Sequence, residues 1–355
     1  MPAENTFDAR RLTEAIARVF VGAGLSPDAS ATVAEALVEA DKRGISSHGS
    51  LLVPLYVERI LSGSVATDEE AEVIRDERTT AVLDAGHALG ILTGDQAMAM
   101  AVAKARAYGV GCVVVRRAFH FGGGFRFVQA AARVGCLGVA AANTRPLMPA
   151  PGGAKAVVGN NPLAFGVPAA SGEPLVLDMA LSEAALGKIR LAAQEGREIP
   201  ETWATDESGV PTTDAGLAMA GLLLPAGGHK GYGLALIVDV LAGVLSGGAF
   251  GDNVQGLYAD MSVPNNCAHF FLALDVAAFC SLEDFQARLA QLTEQVTNGP
   301  RADGVERLFL PGQVETERAA EAEANGVLLD PSVAEGIESA ARAVGIDLDL
   351  SGAVA

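Results

Sequence analysis

The chain has 355 residues, of which 50% are hydrophobic and 19% charged, and 25 basic against 43 acidic side chains leave a net charge of −18. Disorder needs low hydrophobicity with high charge, so this composition predicts a folded chain with a large core. The charge excludes nucleic acid as a partner, because a phosphate backbone demands clustered Lys and Arg; a small anion in a locally basic pocket stays open.

Phe7, Leu12, Ile16, Val19 and Phe20 recur at helical spacing and predict a helix over 7–22. Ser26-Pro27 then supplies an N-cap and a proline at the first helical position, and that helix stops at Gly44. A third helix over 50–61 carries Leu51, Leu55 and Ile60 on one side. From about Ala71, short apolar runs alternate with helical segments. Strands are expected at 81–83, 112–116, 137–142, 175–179 and 270–274. Helices are expected at 94–108, 127–133, 182–194 and 233–246. This alternation predicts an α/β class with a well-buried sheet. The tail returns to amphipathic helices over 282–297 and 331–344, with an acid-rich solvated face at 315–324 between them. Three parts are expected: helical 1–70, α/β 71–280, and helical 281–355 packing back on the first.

Cys112, Cys136, Cys267 and Cys280 stand singly, with no CxxC. Reduced cysteines in apolar runs pack as small hydrophobes, which suits a reducing cytoplasm, with pairing left open. The start, MPAENTFDARR, has no apolar h-region, so no signal peptide is expected. The apolar stretch 231–250 contains Asp239 and several glycines, and reads as a buried helix rather than a membrane span.

A dinucleotide loop of the usual kind needs GxGxxG between a strand and a helix. The nearest match, Gly109-Val110-Gly111, lacks the third glycine and lies between a helix and a strand instead. No GxxxxGK[ST], GxSxG, HExxH or paired Cys/His cluster occurs. No metal is expected, and any cofactor must be held by a less common device.

Glycine is 41 of 355 residues, about 12% where about 7% is usual, and it collects beside polar groups. Ser46-Ser47-His48-Gly49 offers a histidine whose tautomer a hydroxyl can fix, or else a plain helix cap. His120-Phe121-Gly122-Gly123-Gly124 follows a strand and precedes a helix, where α/β proteins bind ligands; a surface turn would explain the glycines but not the histidine. Asn143-Thr144-Arg145 and Gly159-Asn160-Asn161-Pro162 suit either simple turns or a bound nucleotide. Asp178 ends an apolar strand, where it either orients a histidine or caps the helix after Ser182. Gly227-Gly228-His229-Lys230-Gly231 opens the most apolar helix. There, free amides, the helix dipole and a lysine make an anion site. Two histidines, a carboxylate and an anion cradle point to hydride transfer with a dinucleotide in an unusual fold.

The motifs SSHG (46–49), HFGGG (120–124), NTRPLMPAPGG (143–153), GNNPLAFGVP (159–168), LDMALSEAALGKI (177–189), GGHKGYGLAL (227–236), FFLALD (270–275) and LPGQVE (310–315) keep one order along nearly the whole chain. In that order they resemble the malate/L-lactate dehydrogenase family of the non-Rossmann type. That family also holds sulfolactate and ureidoglycolate dehydrogenases and Δ1-piperideine-2-carboxylate reductases.

The resemblance implies a non-Rossmann NAD(P)-binding α/β domain of the L-sulfolactate dehydrogenase-like type, with a helical domain built from both termini. It implies a cytoplasmic homodimer, NAD or NADP as cofactor, and a small 2-hydroxy or 2-oxo acid as substrate. Reduction of a cyclic 2-imino acid is the alternative, and a non-catalytic ligand-binding relative the third reading. The implied acid/base is His120, or His48 in a relay with Ser47 and Asp178. Implied cofactor contacts are His120, Phe121, Gly122, Asn143, Thr144, Asn161, Asp178, Met179, Ala180, His229, Lys230, Gly231, Pro311 and Gly312. Tyr56 matches a tyrosine near the substrate. One position departs from the family pattern: four residues after His48, where most members carry arginine, stands Leu52. Arginine there would clamp a substrate carboxylate, and leucine cannot. Arg126 and Arg145 are the expected substitutes.

Overall fold

The structure is a computed structural model, and it describes residues 5–350. Its centre is a seven-stranded sheet. In spatial order the strands are Glu72–Asp76, Thr80–Asp84, Val110–Ala118, Cys267–Asp275, Cys136–Ala142, Leu163–Val167 and Leu175–Met179. Only Thr80–Asp84 and Val110–Ala118 pair in parallel; every other neighbour is antiparallel. The two strands flanking the Phe125–Arg133 helix are not neighbours, because Cys267–Asp275 inserts between them. Alternating strands and helices therefore yield a mixed sheet here, with the last of its seven strands in chain order at its middle.

Both faces of the sheet are covered. On one side Val113, Val115, Phe271 and Ala273 meet Ala97, Ala101 and Phe127; on the other Val114, Ala141 and Phe270 meet Ile189, Ala235 and Val238. The Gly90–Tyr108 helix lies very close to the sheet, because its inward positions are Gly94, Ala97, Ala101 and Ala105. Small residues let backbones approach, and a side chain at Gly111 would collide with the Ala101 carbonyl.

The first helices, Ala9–Gly22, Pro27–Lys42 and Val53–Leu61, share a separate core with Pro331–Ala343. Leu12, Ile16, Phe20, Leu37, Tyr56 and Ile337 are fully buried there. Each such side chain contributes about 1.5–3 kcal/mol by leaving water. A two-stranded ladder of Thr6–Phe7 with Val327–Leu328 ties the two ends of the chain together. The Leu282–Thr297 helix lies elsewhere, against the sheet side, where Gln286 Nε2 donates to the Ala169 carbonyl at 3.3 Å.

Several elements differ from the sequence reading. Leu163–Val167 is a strand, although GNNP suggested only loop. The helix expected from 182 starts at Leu186, since Ser182 bonds its hydroxyl to the Ala184 carbonyl instead. The apolar helix begins early, at His229, runs to Asp239 and continues as a π-helical turn over Val240–Val244. The acid-rich stretch is the helix Gln313–Asn325, which buries none of its residues. Among the described residues no helix is long and apolar enough to cross a membrane, and the four cysteines are unpaired.

Candidate active site

The Ser46–His48 turn follows the Pro27–Lys42 helix and is held from behind by Asp41. The Asp41 carboxylate accepts the Ser50 N–H at 2.7 Å, and it occupies the space that a side chain at Gly49 would need. Burial pushes this carboxyl up to about 6. Held in this way, the turn presents His48, whose Nδ1 lies 2.9 Å from Ser47 Oγ.

His120 arrives from the other side, two residues beyond the Val110–Ala118 strand. Its Nδ1 lies 2.7 Å from the hydroxyl of Tyr56, which is fully buried on the Val53–Leu61 helix. The His48 and His120 rings are 5.3 Å apart at 31°. Burial holds His120 well below the ordinary histidine range, and the charges of His48 and His269 add to that. Burial lowers His48 as well, and drives the Tyr56 phenol above its ordinary value. Where the terminal helices meet the sheet, two imidazoles whose neutral forms are favoured by burial thus lie side by side, each with Nδ1 engaged by a hydroxyl. Among the described residues no hydrogen bond takes their Nε2 atoms.

Several of the expected residues are engaged by hydrogen bonds within the protein. Asp178 does not orient a histidine: its carboxylate accepts the Phe125 N–H at 2.8 Å, capping the Phe125–Arg133 helix. Burial pushes it up to about 6 despite its Phe125 and Gly124 amide partners. The Ser-His-Asp relay is therefore reduced to Ser47 and His48. Asn143 is buried and spent on the frame, donating to Asp239 and the Ala249 carbonyl and accepting from Ala268 N. Asn161 likewise accepts from Thr144 N and donates to the Ala235 carbonyl. Phe121 stacks on His269 inside the sheet core, so only its backbone can reach a ligand. Tyr56 has no exposed surface, and its hydroxyl meets His120 Nδ1.

Most of the remaining cofactor candidates lie along the edge strand and the loops that meet its end. Gly312 packs so closely on the Val176 carbonyl that no side chain fits there. Asp178, Met179 and Ala180 follow at the strand's end. Leu181 N then donates to the Asn160 carbonyl, and Ala226 N to the Leu181 carbonyl. These bonds bring the Thr144–Asn160 loop and the Gly227 loop together, and Thr144 Oγ1 itself bonds Asn160 at 3.1 Å. Gly227 and Gly228 both have positive φ, with open space where side chains would be. They lead into the exposed N-terminus of the His229–Asp239 helix, which has no side-chain cap. The amides of His229, Lys230 and Gly231 have no acceptor within the helix, and no ion pair among the described residues takes the Lys230 ammonium. Gly227 N is already taken by the Glu183 carboxylate at 3.2 Å, so the donors that fit the pyrophosphate of a dinucleotide are the three helix amides and Lys230, with the helix dipole behind them.

The two substitute arginines separate. Arg126 is engaged by Asp95 through bonds of 2.7 to 3.0 Å, so its charge is already matched. Arg145 is exposed, in no ion pair among the described residues, and its side chain lies along Gly256. Leu52 is fully buried in the terminal core. Sequence reasoning missed Asp95 as the partner of Arg126, and it missed Arg59, a buried guanidinium one helical turn beyond Tyr56. An arginine within an apolar helix was the available signal for the latter.

A family model described as malate/L-lactate dehydrogenase matches residues 7–338. The chain is 36% identical over 306 residues to a malate dehydrogenase of Pyrococcus abyssi, covering 84% of this chain and 83% of that protein. It is 38% identical over 305 residues to an NAD(+) ureidoglycolate dehydrogenase of Escherichia coli K12, covering 86% and 87%. Among solved structures, sulfolactate dehydrogenase from Methanocaldococcus jannaschii superposes with a TM-score of 0.91 at 30% identity, covering 96% of this chain and 98% of that one.

Proposed function

The chain belongs to the malate/L-lactate dehydrogenase family, and on that footing we propose that it moves a hydride between NAD or NADP and a small 2-hydroxy or 2-oxo acid, with His120 as the acid/base. The observation that carries this reading is the 2.7 Å contact between Tyr56 and His120 Nδ1. A phenol both donates and accepts, so Tyr56 can hold the ring in either protonation state. When the hydroxy acid is oxidised, Nδ1–H donates to Tyr56 and the Nε2 lone pair takes the alcohol proton. In reduction the imidazolium returns that proton to the substrate oxygen. Burial and the adjacent His48 favour the neutral ring, so its lone pair is free to accept a proton at pH 7, and the protonated ring readily gives that proton up.

The bound nicotinamide supplies the hydride acceptor or donor. Lys230 and the amides of His229 to Gly231 would hold its phosphates, while Gly122, Thr144, Asp178 to Ala180 and the Pro311-Gly312 turn would border its path. Arg145 is the cation we assign to the substrate carboxylate, since Arg126 is taken by Asp95. Ser47 and His48 complete the polar wall.

We read residues 1–70 with the Pro331–Ala343 helix as one helical unit beside the α/β part 71–280, because a single apolar core joins them. A second copy of the chain is the partner we assign to the exposed Leu234, Ile237, Val240, Val244 and Phe250, which gather on and after the His229–Asp239 helix. The unpaired cysteines accord with a cytoplasmic location.

The test is a thermal-shift comparison of NADH with NADPH, followed by turnover of pyruvate, oxaloacetate, the ureidoglycolate pair and a cyclic 2-imino acid. A saturable shift and reduction of a 2-oxo acid are expected. Turnover of the imino acid alone would reject the hydroxy-acid reading.

A further inference from the structure

Arg59 is fully buried. A buried cation is costly and ordinarily faces a carboxylate. None of the hydrogen bonds of Arg59 goes to one. Nη1 donates to the carbonyls of Asp260 (3.1 Å), Met261 (3.5 Å) and Val263 (2.7 Å) and to Ser64 Oγ (3.3 Å). Nη2 donates to the carbonyls of Gly256 (3.1 Å) and Leu257 (3.0 Å). Five of these six acceptors belong to a single loop, 256–263, which comes from the α/β part about 200 residues away in sequence. Leu257 and Met261 of the same loop pack against the terminal core.

The loop lies against the helix that carries Tyr56, the partner of His120. Arg145 runs along it, with Cδ 2.8 Å from the position a Cβ would take at Gly256. Tyr258 lies near enough to Tyr56 to raise its phenol. Arg59 and Tyr56 are three residues apart on one helix, so the helix that positions His120 also grips the loop beneath Arg145.

We propose that Arg59 is a positioning residue: its guanidinium clamps the 256–263 loop onto the Val53–Leu61 helix and so fixes Arg145 and Tyr258 at the substrate end of the cleft. The clamp needs a planar fork with several donors. A lysine has three donors on one nitrogen and cannot span these acceptors. The role in substrate binding rests on the acid-substrate reading given above; the clamp itself does not.

The experiment uses the full chain carrying Arg59→Lys. Amide hydrogen exchange of 256–263 should speed up, and KM for the 2-oxo acid should rise about tenfold, while cofactor Kd stays within about twofold. Gly256→Ala leaves Arg59 and its carbonyl acceptors in place but displaces Arg145, so it should show the same split with little change in exchange. It also serves if Arg59→Lys does not fold. Adding Arg145→Ala to Arg59→Lys should raise KM no further than Arg145→Ala alone. Unchanged exchange in Arg59→Lys overturns the clamp. Additive effects, or equal weakening of acid and cofactor, overturn the positioning role. If the wild-type chain reduces none of the 2-oxo acids, the substrate reading has failed, and the exchange data still decide the clamp.

Discussion

The histidine cleft and the glycine loop before the His229–Asp239 helix are both polar places in an apolar chain, but they are built in opposite ways. In the cleft the polar side chains satisfy one another: Tyr56 with His120, Ser47 with His48. At the glycine loop Gly227 N is taken by the Glu183 carboxylate and Gly228 N by the Pro225 carbonyl, but the amides of His229 to Gly231 have no acceptor within the helix, and among the described residues no ion pair takes the Lys230 ammonium. The difference teaches how one chain divides its work. Buried polar groups need partners, and those partners set tautomer and pKa. An exposed helix end can keep its donors for an anion that arrives later.

The sharpest break of this comparison is His120→Asn. It removes the acid/base and leaves the glycine loop untouched, so kcat should fall by about 10²–10⁴-fold with cofactor Kd unchanged. Stopped-flow turnover beside equilibrium titration with NAD(P)H checks both halves. An unchanged kcat would pass the role to His48.

Tyr56→Phe is the next largest. It deletes one hydrogen bond to Nδ1, and kcat should drop about tenfold. Losing an acceptor destabilises the imidazolium more than the neutral ring. His120, already low, should move lower still, so the acid limb of the oxidation profile should shift to lower pH. A limb that moves upward would show that Tyr56 does not hold the charged ring.

Lys230→Ala probes the other region and should have the smallest effect on chemistry. Cofactor Kd should weaken by about tenfold, falling off with added salt, while kcat at saturating cofactor stays within about twofold. Calorimetric titration at two ionic strengths reads the first, and initial rates the second.

Much of this was legible in the chain. The strand Leu175–Met179 and the helix Leu282–Thr297 have the bounds that periodicity predicts, and Ser26-Pro27 caps its helix as read. These signals are local, because an N-cap or an apolar stripe acts within one or two turns. His48, His120 and Lys230 could be singled out because glycine beside a polar group is conspicuous in sequence. Their partners could not. Tyr56 is 64 residues from His120, Asp95 is 31 from Arg126, and the carbonyls that grip Arg59 are about 200 away. Asp178 shows the same limit: sequence offered a histidine or the following helix, and the structure placed it on the N-terminus of an earlier one.

Composition and periodicity by themselves determined the class of the fold and most of its helices and strands. The motif order determined the family. Only the tertiary structure decided the strand order, the antiparallel pairing, and which of two arginines keeps an unmatched charge. Hydrophobic pattern states that a face is buried, not against what. Hydrogen bonds and ion pairs are settled only when segments far apart in the chain are brought within about 3 Å of each other.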